Sequence, residues 1–270
     1  MSTVERPSTE RVEELKESLA DIRSRVKAVS LTTSKPTLVA VSKYKPASDI
    51  LACFEDEQLD FGENYVQELE DKAAVLPGEI RWHFIGTLQS NKAKVLAAIP
   101  NLYSIQTLAS IKTATALNKA FPSDRSTPLR VLLQVNTSGE DSKSGLPPLS
   151  SSNVEEFELT QLATHIVKEC PKLRLEGLMT IGALELSLTA SETEKNADFE
   201  RLKETRDALH AHLVKQFGES NAGKWGHETT GKLLLSMGMS SDFDAALKSG
   251  SDIVRVGTGI FGQRVKKTTA

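Results

Sequence analysis

The sequence contains few cysteines, no long apolar segment and no strong excess of charge. Its two cysteines, Cys53 and Cys170, are too few and too far apart for a disulfide framework or a cysteine metal cluster. No run approaches the roughly 18 apolar residues of a membrane span, and the N-terminus MSTVERPSTE lacks the apolar core of a signal peptide. The net charge of -3 gives no general attraction for nucleic acid. These absences predict a cytoplasmic protein that binds neither membranes nor nucleic acids.

Short apolar runs rich in β-branched residues alternate with helical patterns along the chain. The strand-like runs are 37–42, 59–62, 80–86, 102–105, 129–135, 173–181, 233–237 and 253–256. Such alternation is typical of βαβ units, and eight nearly continuous apolar strands favour a closed barrel over an open doubly wound sheet. The expectation is an α/β protein with a single (β/α)8 TIM-type barrel domain over residues 1–270, with flexible ends at 1–8 and 265–270.

An additional amphipathic helix is expected before the first strand. Leu15, Leu19, Ile22 and Val26 recur at helical spacing within residues 9–29, with charged residues between them. No long helix is predicted after the eighth strand, where a barrel normally places one. We therefore expect the leading helix to cover that part of the barrel wall.

A lysine stands at the end of the first predicted strand. In LVAVSKYKP, Lys43 follows an apolar run and precedes a helix opened by Pro46. Functional groups of barrels lie at the carboxyl ends of the strands, so Lys43 is expected to point into the barrel mouth. A partly desolvated amine there can form a Schiff base with an aldehyde, although an exposed loop lysine shows the same pattern. Lys45 is the competing candidate, and its position nearer the helix favours a solvent-facing side chain.

The seventh and eighth predicted strands are followed by segments rich in glycine and hydroxyl residues. These residues are Gly238, Ser240, Ser241, Gly257, Thr258 and Gly259. The loops after these two strands are the usual phosphate site of the fold, because glycines and helix N-termini bring backbone amides close to an anion. Arg255 can add a charge-assisted hydrogen bond. The same residues also suit plain turns and a helix cap, so both interpretations stand.

The predicted amine and the predicted phosphate site are neighbours across the closure of an eight-stranded barrel. A ligand that carries both an aldehyde and a phosphate would span them. Pyridoxal 5'-phosphate (PLP) has this chemistry, and so has a sugar phosphate cleaved by a Schiff-base aldolase without a cofactor. The residues alone leave these two alternatives open.

Seven motifs occur in a fixed order along most of the chain. They are LVAVSKYKP (38–46), FGENYVQE (61–68), WHFIGTLQSNK (82–92), VNTSGEDSKSG (135–145), LEGLMTIG (175–182), LSMGMSSDFDAAL (235–247) and VRVGTGIFG (254–262). Together they resemble the pyridoxal phosphate homeostasis proteins, PLP-binding barrels similar to the N-terminal domain of alanine racemase. Seven motifs at compatible spacings make this resemblance specific.

The resemblance implies that PLP is held covalently by Lys43 as a Schiff base. The phosphate contacts that it implies are Met239, Ser240, Gly257 and Thr258. It also implies that Arg255 faces either the pyridine nitrogen or the phosphate. A cation beside that nitrogen disfavours its protonation and weakens the ring as an electron sink, which argues against catalysis.

Further motif residues at predicted strand ends are expected near the pocket. Asn64 is expected to contact the cofactor, and His83 and Asn91 fall in the third βα unit, where they are expected to line the pocket. His83 suits either a hydrogen-bonded residue of the barrel interior or a direct participant. Lys143, after the fifth strand, resembles a second family lysine able to reach the cofactor, and a solvated side chain is the alternative.

The function that the resemblance implies is PLP storage, protection or delivery in vitamin B6 homeostasis, with no catalytic residue. The chain ends soon after RVGTGIFG, leaving no room for the racemase's second domain, and Tyr44, Tyr65 and Tyr103 all precede that motif. A PLP-dependent amino-acid racemase or other PLP enzyme is the alternative. Scattered histidines disfavour a metal site. The expected state is a monomer, with transient PLP-dependent apoenzyme partners.

Overall fold

Eight parallel strands form a closed barrel in the computed structural model, which describes residues 4–29, 35–122, 125–149, 154–182, 196–219 and 224–263. The strands are β1 Thr37–Val41, β2 Asp60–Glu63, β3 Arg81–Phe84, β4 Leu102–Leu108, β5 Leu129–Gln134, β6 Leu173–Met179, β7 Leu234–Ser236 and β8 Ile253–Val256. The predicted TIM-type barrel is confirmed. Of the two ends expected to be flexible, residues 1–3 and 265–270 lie outside the described residues.

Helices follow the strands and surround the barrel. They are α1 Thr9–Val29, α2 Ala47–Glu55, α3 Val66–Ala73, α4 Ala93–Ala97, α5 Ile111–Ala120, α6 Glu158–Glu169, α7 Ala197–Phe217, α8 Phe243–Lys248 and α9 Thr258–Phe261. Side-chain caps begin three of them, since Ser8 accepts from the Arg11 amide, Ser110 from the Thr113 amide and Asn196 from the Asp198 amide. Within the described ranges, no helix has both the length and the apolar character that a membrane crossing needs.

The strands are buried on both faces, which explains their continuous apolar sequences. Their outward side chains, such as Phe61 and Trp82, join the large core between the barrel and the helices. Val39, Leu132 and Met179 belong to a smaller apolar cluster inside the barrel. The barrel is therefore a packed core, and access for a ligand is at its ends.

The leading helix α1 closes the barrel wall beside the short helix α9. Its buried residues are Leu15, Leu19, Ile22 and Val26. Arg11 of α1 donates to Asp49 on α2 at 2.7 Å and to the Phe261 carbonyl of α9 at 3.0 Å. Because α9 has only 4 residues, α1 covers what a full helix would otherwise cover. The expected position of the leading helix is confirmed.

The ends of β1, β7 and β8 meet where the barrel closes. β1 pairs with both β2 and β8, and β8 also pairs with β7. A Cβ atom added at Gly257 would lie 3.3 Å from the Val41 carbonyl oxygen. The backbone after β8 therefore lies against the end of β1, and the predicted neighbourhood of these two segments is confirmed.

Candidate functional site

Lys43 lies in a tight turn directly after β1. The Lys45 amide donates to the Ser42 carbonyl at 3.0 Å and closes the turn. Tyr44 has a φ of 62°, a left-handed conformation that is uncommon outside glycine. Lys43 is half-buried, and its ammonium has no hydrogen-bond partner among the residues that the structure describes. The turn thus presents an amine that is not engaged by the described protein groups.

The expectation that the Lys45 side chain faces solvent is wrong, because backbone carbonyls bind its ammonium. Its ammonium donates to the carbonyls of Phe261 and Gly262 at 2.9 Å and of Gln263 at 3.2 Å. The last carbonyls of a helix lack intrahelical partners, and a cation is favourable there. Lys45 thereby ties the turn after β1 to the end of α9.

The segments that follow β7 and β8 meet at Ser240. The Ser240 hydroxyl oxygen accepts from the amides of Gly257 at 3.0 Å and Gly259 at 3.4 Å. The Met239 amide donates to the Asp242 carboxylate at 2.6 Å, and the Phe243 amide donates to the Met239 carbonyl at 2.9 Å, so these bonds link the segment after β7 to the start of α8. Backbone amides and a hydroxyl therefore converge here, as expected for a phosphate site.

Gly238 and Thr258 complete these two segments. Gly238 has a φ of 93°, and an added Cβ would lie 2.5 Å from the Ala246 side chain. Glycine is therefore needed where β7 turns into α8. Thr258 is exposed at the first position of α9. The structure brings all the predicted phosphate contacts into two adjacent loops.

Arg255 is a buried cation inside the barrel. Its guanidinium donates to the Ser236 hydroxyl at 2.6 Å and to the Thr180 carbonyl at 2.7 Å. Burial lowers the pKa of Arg255 to about 10, so the side chain remains charged at neutral pH. Within the described part of the chain it forms no ion pair. An acceptor or anion placed beside it would be stabilised.

A hydrogen-bond chain, not anticipated from the sequence, links Arg255 to the opposite part of the barrel. The Ser236 hydroxyl donates to the Gln106 side-chain carbonyl at 2.7 Å. The Gln106 amide group then lies 3.0 Å from His83 Nδ1, and His83 Nε2 lies 2.9 Å from Asp60. If Gln106 donates, His83 carries its proton on Nε2 and donates to Asp60. His83 is a buried, hydrogen-bonded residue of the interior, which confirms that interpretation.

The other predicted pocket residues lie in loops at the same end of the barrel. Asn64, after β2, has a buried side-chain oxygen without a hydrogen-bond partner in the described ranges. Asn91 is exposed in the short helical turn after β3. Lys143 donates to Glu140 at 2.8 Å and to the Gly182 carbonyl at 2.5 Å. With only 21% of its side chain exposed, Lys143 is not the solvated residue of the alternative interpretation.

A buried ion-pair cluster lies against the turn that contains Lys43, and it was not anticipated from the sequence. Lys72 on α3 donates to Glu63 at 2.6 Å and to Glu68 at 2.7 Å, and the Ser42 hydroxyl donates to Glu63 at 2.7 Å. Burial raises the pKa of Glu63. The spacing of Glu68 and Lys72, four residues apart on a helix, is the signal that indicates their contact.

Two exposed tyrosines lie at the rim of the mouth. The hydroxyls of Tyr44 and Tyr65 are hydrogen-bonded, and their ring centroids are 5.1 Å apart. Tyr103 lies elsewhere, with the guanidinium of Arg130 4.3 Å from its ring centroid. Chain position alone does not indicate that Tyr65 contacts Tyr44, the residue next to Lys43.

An available amine, two segments with amides and hydroxyls and a buried cation thus lie at the carboxyl ends of the neighbouring strands β1, β7 and β8. This set of groups can bind a phosphate and react with an aldehyde. Among the described residues, no group of three or more histidine, cysteine, aspartate or glutamate side chains is placed to hold a metal ion.

Comparison with known families identifies this barrel. The family model described as alanine racemase, N-terminal domain, matches residues 18–265, which defines the class of the fold. The pyridoxal phosphate homeostasis protein of Caenorhabditis elegans is 42% identical over 88% of this chain and 90% of its own length. That of Homo sapiens is 40% identical over 87% of this chain and 78% of its own. The chain belongs to the pyridoxal phosphate homeostasis protein family.

Solved structures agree with this assignment. PipY of Synechococcus elongatus, whose structure has PLP bound, is 28% identical with a TM-score of 0.68, covering 92% of this chain and all of that one. Alanine racemase of Corynebacterium glutamicum is 12% identical with a TM-score of 0.64, covering 94% of this chain and 62% of the racemase. The second similarity shows the shared fold alone.

Proposed function

We propose that this protein binds PLP in the barrel mouth and serves PLP homeostasis in the cytoplasm by storing, protecting or delivering the cofactor. The names of its relatives and the PLP-bound structure of PipY support this function. The observation that best supports PLP binding is the close approach of Gly257 to the end of β1, beside the available amine of Lys43. Bound PLP supplies a reactive aldehyde and a phosphate.

Lys43 is proposed as the residue that forms the Schiff base. Its nitrogen bonds to the aldehyde carbon, and the aldehyde oxygen leaves as water, so the step needs neither oxidant nor reductant. The proposed phosphate contacts are Met239, Ser240, Gly257 and Thr258. Their support is the convergence of amides on the Ser240 hydroxyl in the two loops beside Lys43.

Arg255 supports a binding role over a catalytic one. A guanidinium has only donors, so beside the pyridine nitrogen it would donate a hydrogen bond and leave that nitrogen unprotonated. The ring is then a weak electron sink for carbanion chemistry. If Arg255 instead contacts the phosphate, its charge strengthens cofactor binding. Either contact would help to hold PLP.

Asn64 and Lys143 are proposed to assist binding and release. The unpartnered side-chain oxygen of Asn64 is an acceptor for a ligand donor at the mouth. Lys143, held by Glu140 and the Gly182 carbonyl, is a second amine at the same end of the barrel. We propose that it can take the cofactor during transfer from this monomer to PLP-dependent apoenzymes.

The alternative function is a PLP-dependent amino-acid racemase. A racemase needs proton-transferring groups on both faces of the cofactor, and the Tyr44–Tyr65 pair at the rim is the observation that favours it. Incubation of the PLP-loaded protein with single enantiomers of amino acids tests this. Racemisation above the rate of free PLP that is lost on replacement of both tyrosines with phenylalanine would establish an enzyme.

The proposed function is tested by absorption spectroscopy, borohydride reduction and peptide mapping. We expect a cofactor band that reduction fixes on Lys43, and its loss in Lys43→Ala. The cofactor-free forms of both proteins should have the same melting temperature, because this side chain lies outside the packed core. Lys45→Ala is the matched control and should keep the adduct. A colourless protein that PLP cannot reconstitute contradicts the proposal and favours the aldolase, and an adduct in Lys43→Ala contradicts the choice of lysine.

A further inference from the structure

The cluster of Lys72, Glu63 and Glu68 contacts the backbone on both sides of Lys43. Lys72 donates to the Ser42 carbonyl at 2.8 Å, the peptide group just before Lys43. Glu68 accepts from the Tyr44 amide at 2.5 Å, the peptide group just after it. The cluster therefore holds both peptide groups that flank the reactive lysine.

The hydrogen-bonding capacity of Lys72 is fully used by these contacts. An ammonium has three donors, and Lys72 directs them to the Ser42 carbonyl, Glu63 and Glu68. Its side chain is 8% exposed, and that of Glu63 is 0% exposed. The bonds of Lys72 to the Ser42 carbonyl and to Glu63 are buried, so water does not readily replace them.

The conformation of the turn needs such support. Tyr44 is in the left-handed region, which costs energy for a residue with a Cβ atom and persists only where surrounding contacts impose it. The contact between Glu68 and the Tyr44 amide is one that imposes it. Without that contact the turn can relax, and the direction in which Lys43 leaves the backbone changes with it.

A purely stabilising role explains this arrangement less well. A buried ion pair is weak evidence for stability, because desolvation offsets much of the attraction between the charges. This cluster directs one donor and one acceptor at the peptide groups next to a single residue. Its geometry suits the positioning of that residue.

We propose that Lys72, Glu63 and Glu68 are positioning residues for Lys43, and that they hold its amine in the orientation required to react with the aldehyde of PLP. The proposal rests on the proposed function of Lys43. Correct placement of a nucleophile accounts for a large part of its rate, and a displacement of about 1 Å can lower a rate by about 100-fold. The cluster should therefore control how fast Lys43 reacts.

The test compares four variants. Lys72→Met removes the ammonium, and Glu68→Ala removes the acceptor of the Tyr44 amide but leaves Lys72 paired with Glu63. Glu68→Gln restores a neutral acceptor. Arg174→Met is the matched control. Arg174, at the start of β6, is also a buried cation, and it donates to the backbone carbonyl of Gly226.

The main measurement is the second-order rate constant with which PLP, added to cofactor-free protein, forms a borohydride-reducible adduct on Lys43. We expect a decrease of about 10-fold or more in Lys72→Met and Glu68→Ala. Glu68→Gln should stay within about threefold of the wild type, since a neutral acceptor remains for the Tyr44 amide. Arg174→Met should react at the wild-type rate. Exchange of the Tyr44 amide hydrogen, measured without PLP, should be faster in Glu68→Ala than in Glu68→Gln.

The outcomes separate the positioning role from the proposed function. Wild-type rates in Lys72→Met and Glu68→Ala overturn the positioning role, and so does an equal slowing in Arg174→Met, which would show a general effect of lost stability. If Lys72→Met does not fold, the comparison of Glu68→Ala with Glu68→Gln decides. A wild-type protein that forms no adduct on Lys43 overturns the proposed function and the positioning role together.

Discussion

At the scale of single residues, burial is the main cause of the pKa shifts of Arg255 and Asp252. Arg255 and Asp252 lie at opposite ends of β8, and burial shifts both away from their ordinary pKa values. The pKa of Arg255 is lowered to about 10, and the pKa of Asp252 is raised although its carboxylate accepts from the Leu235 amide at 2.8 Å. In both residues the charged form is disfavoured, so each charge reduces the stability of the folded barrel.

Asp252→Asn should change how stability depends on pH. Because the folded pKa of Asp252 is raised, the unfolded chain loses this proton first as the pH rises above 3.8, the ordinary value for aspartate. The free energy of unfolding of the wild type should therefore fall relative to that of Asp252→Asn as the pH rises above 3.8. Urea unfolding of both proteins from acidic to neutral pH measures this difference. A difference that grows in favour of the wild type would contradict the prediction.

At the scale of elements, the β7–α8 and β8–α9 connections have tight packing requirements. The first turns at Gly238, where the backbone is left-handed and α8 lies in contact. The second turns at Gly257 against the end of β1. The helix α9 begins directly after Gly257, and α8 begins five residues after Gly238. Small residues at these turns are therefore a requirement of the proposed phosphate site.

Gly238→Ala should destabilise the protein more than Gly250→Ala. Both glycines have nearly the same φ, 93° and 92°, so each substitution carries a similar backbone cost of about 1–2 kcal/mol. An added Cβ at Gly238 also meets Ala246 at 2.5 Å, whereas nothing lies within 4 Å at Gly250. Overpacking should add about 1–3 kcal/mol at Gly238 and weaken PLP binding. Chemical unfolding and PLP titration measure both effects, and equal losses in the two variants would exclude the steric explanation.

At the scale of the whole molecule, α1 joins the first and last parts of the barrel. Its apolar face packs on α2, α8 and α9, and Ile22 lies close to Gly259. Arg25 of α1 also pairs with Asp244 on α8 and stacks on the ring of Phe243. The helix therefore supports the loops after β7 and β8 from outside.

Leu19→Ala should destabilise the protein by about 2–5 kcal/mol, because Leu19 is fully buried between α1 and the barrel wall and the substitution leaves a cavity. Leu59→Ala is the matched control, since Leu59 is 38% exposed and should cost less than about 1 kcal/mol. Chemical unfolding of both variants measures the difference. A stability loss in Leu19→Ala as small as that in Leu59→Ala would show that α1 is not an integral part of the core.

The strands, the leading helix and the candidate lysine could be predicted because they depend on local patterns. Continuous apolar runs identify strands buried on both faces, and Lys43 follows such a run. The barrel order then places the loops after β7 and β8 beside it. The position of Lys45 could not be predicted, because its partners are backbone carbonyls more than 200 residues away.

The sequence by itself determined the barrel, its motifs and the end of the barrel where the candidate site lies, because hydrophobic periodicity and strand-end position are properties of short segments. Only the tertiary structure decided which polar groups meet. The contact of Lys72 with Ser42 and the chain from Arg255 to Asp60 join residues on different strands and helices. Such contacts depend on the register of the strands and on burial, which set distance and desolvation and are not encoded in any one segment.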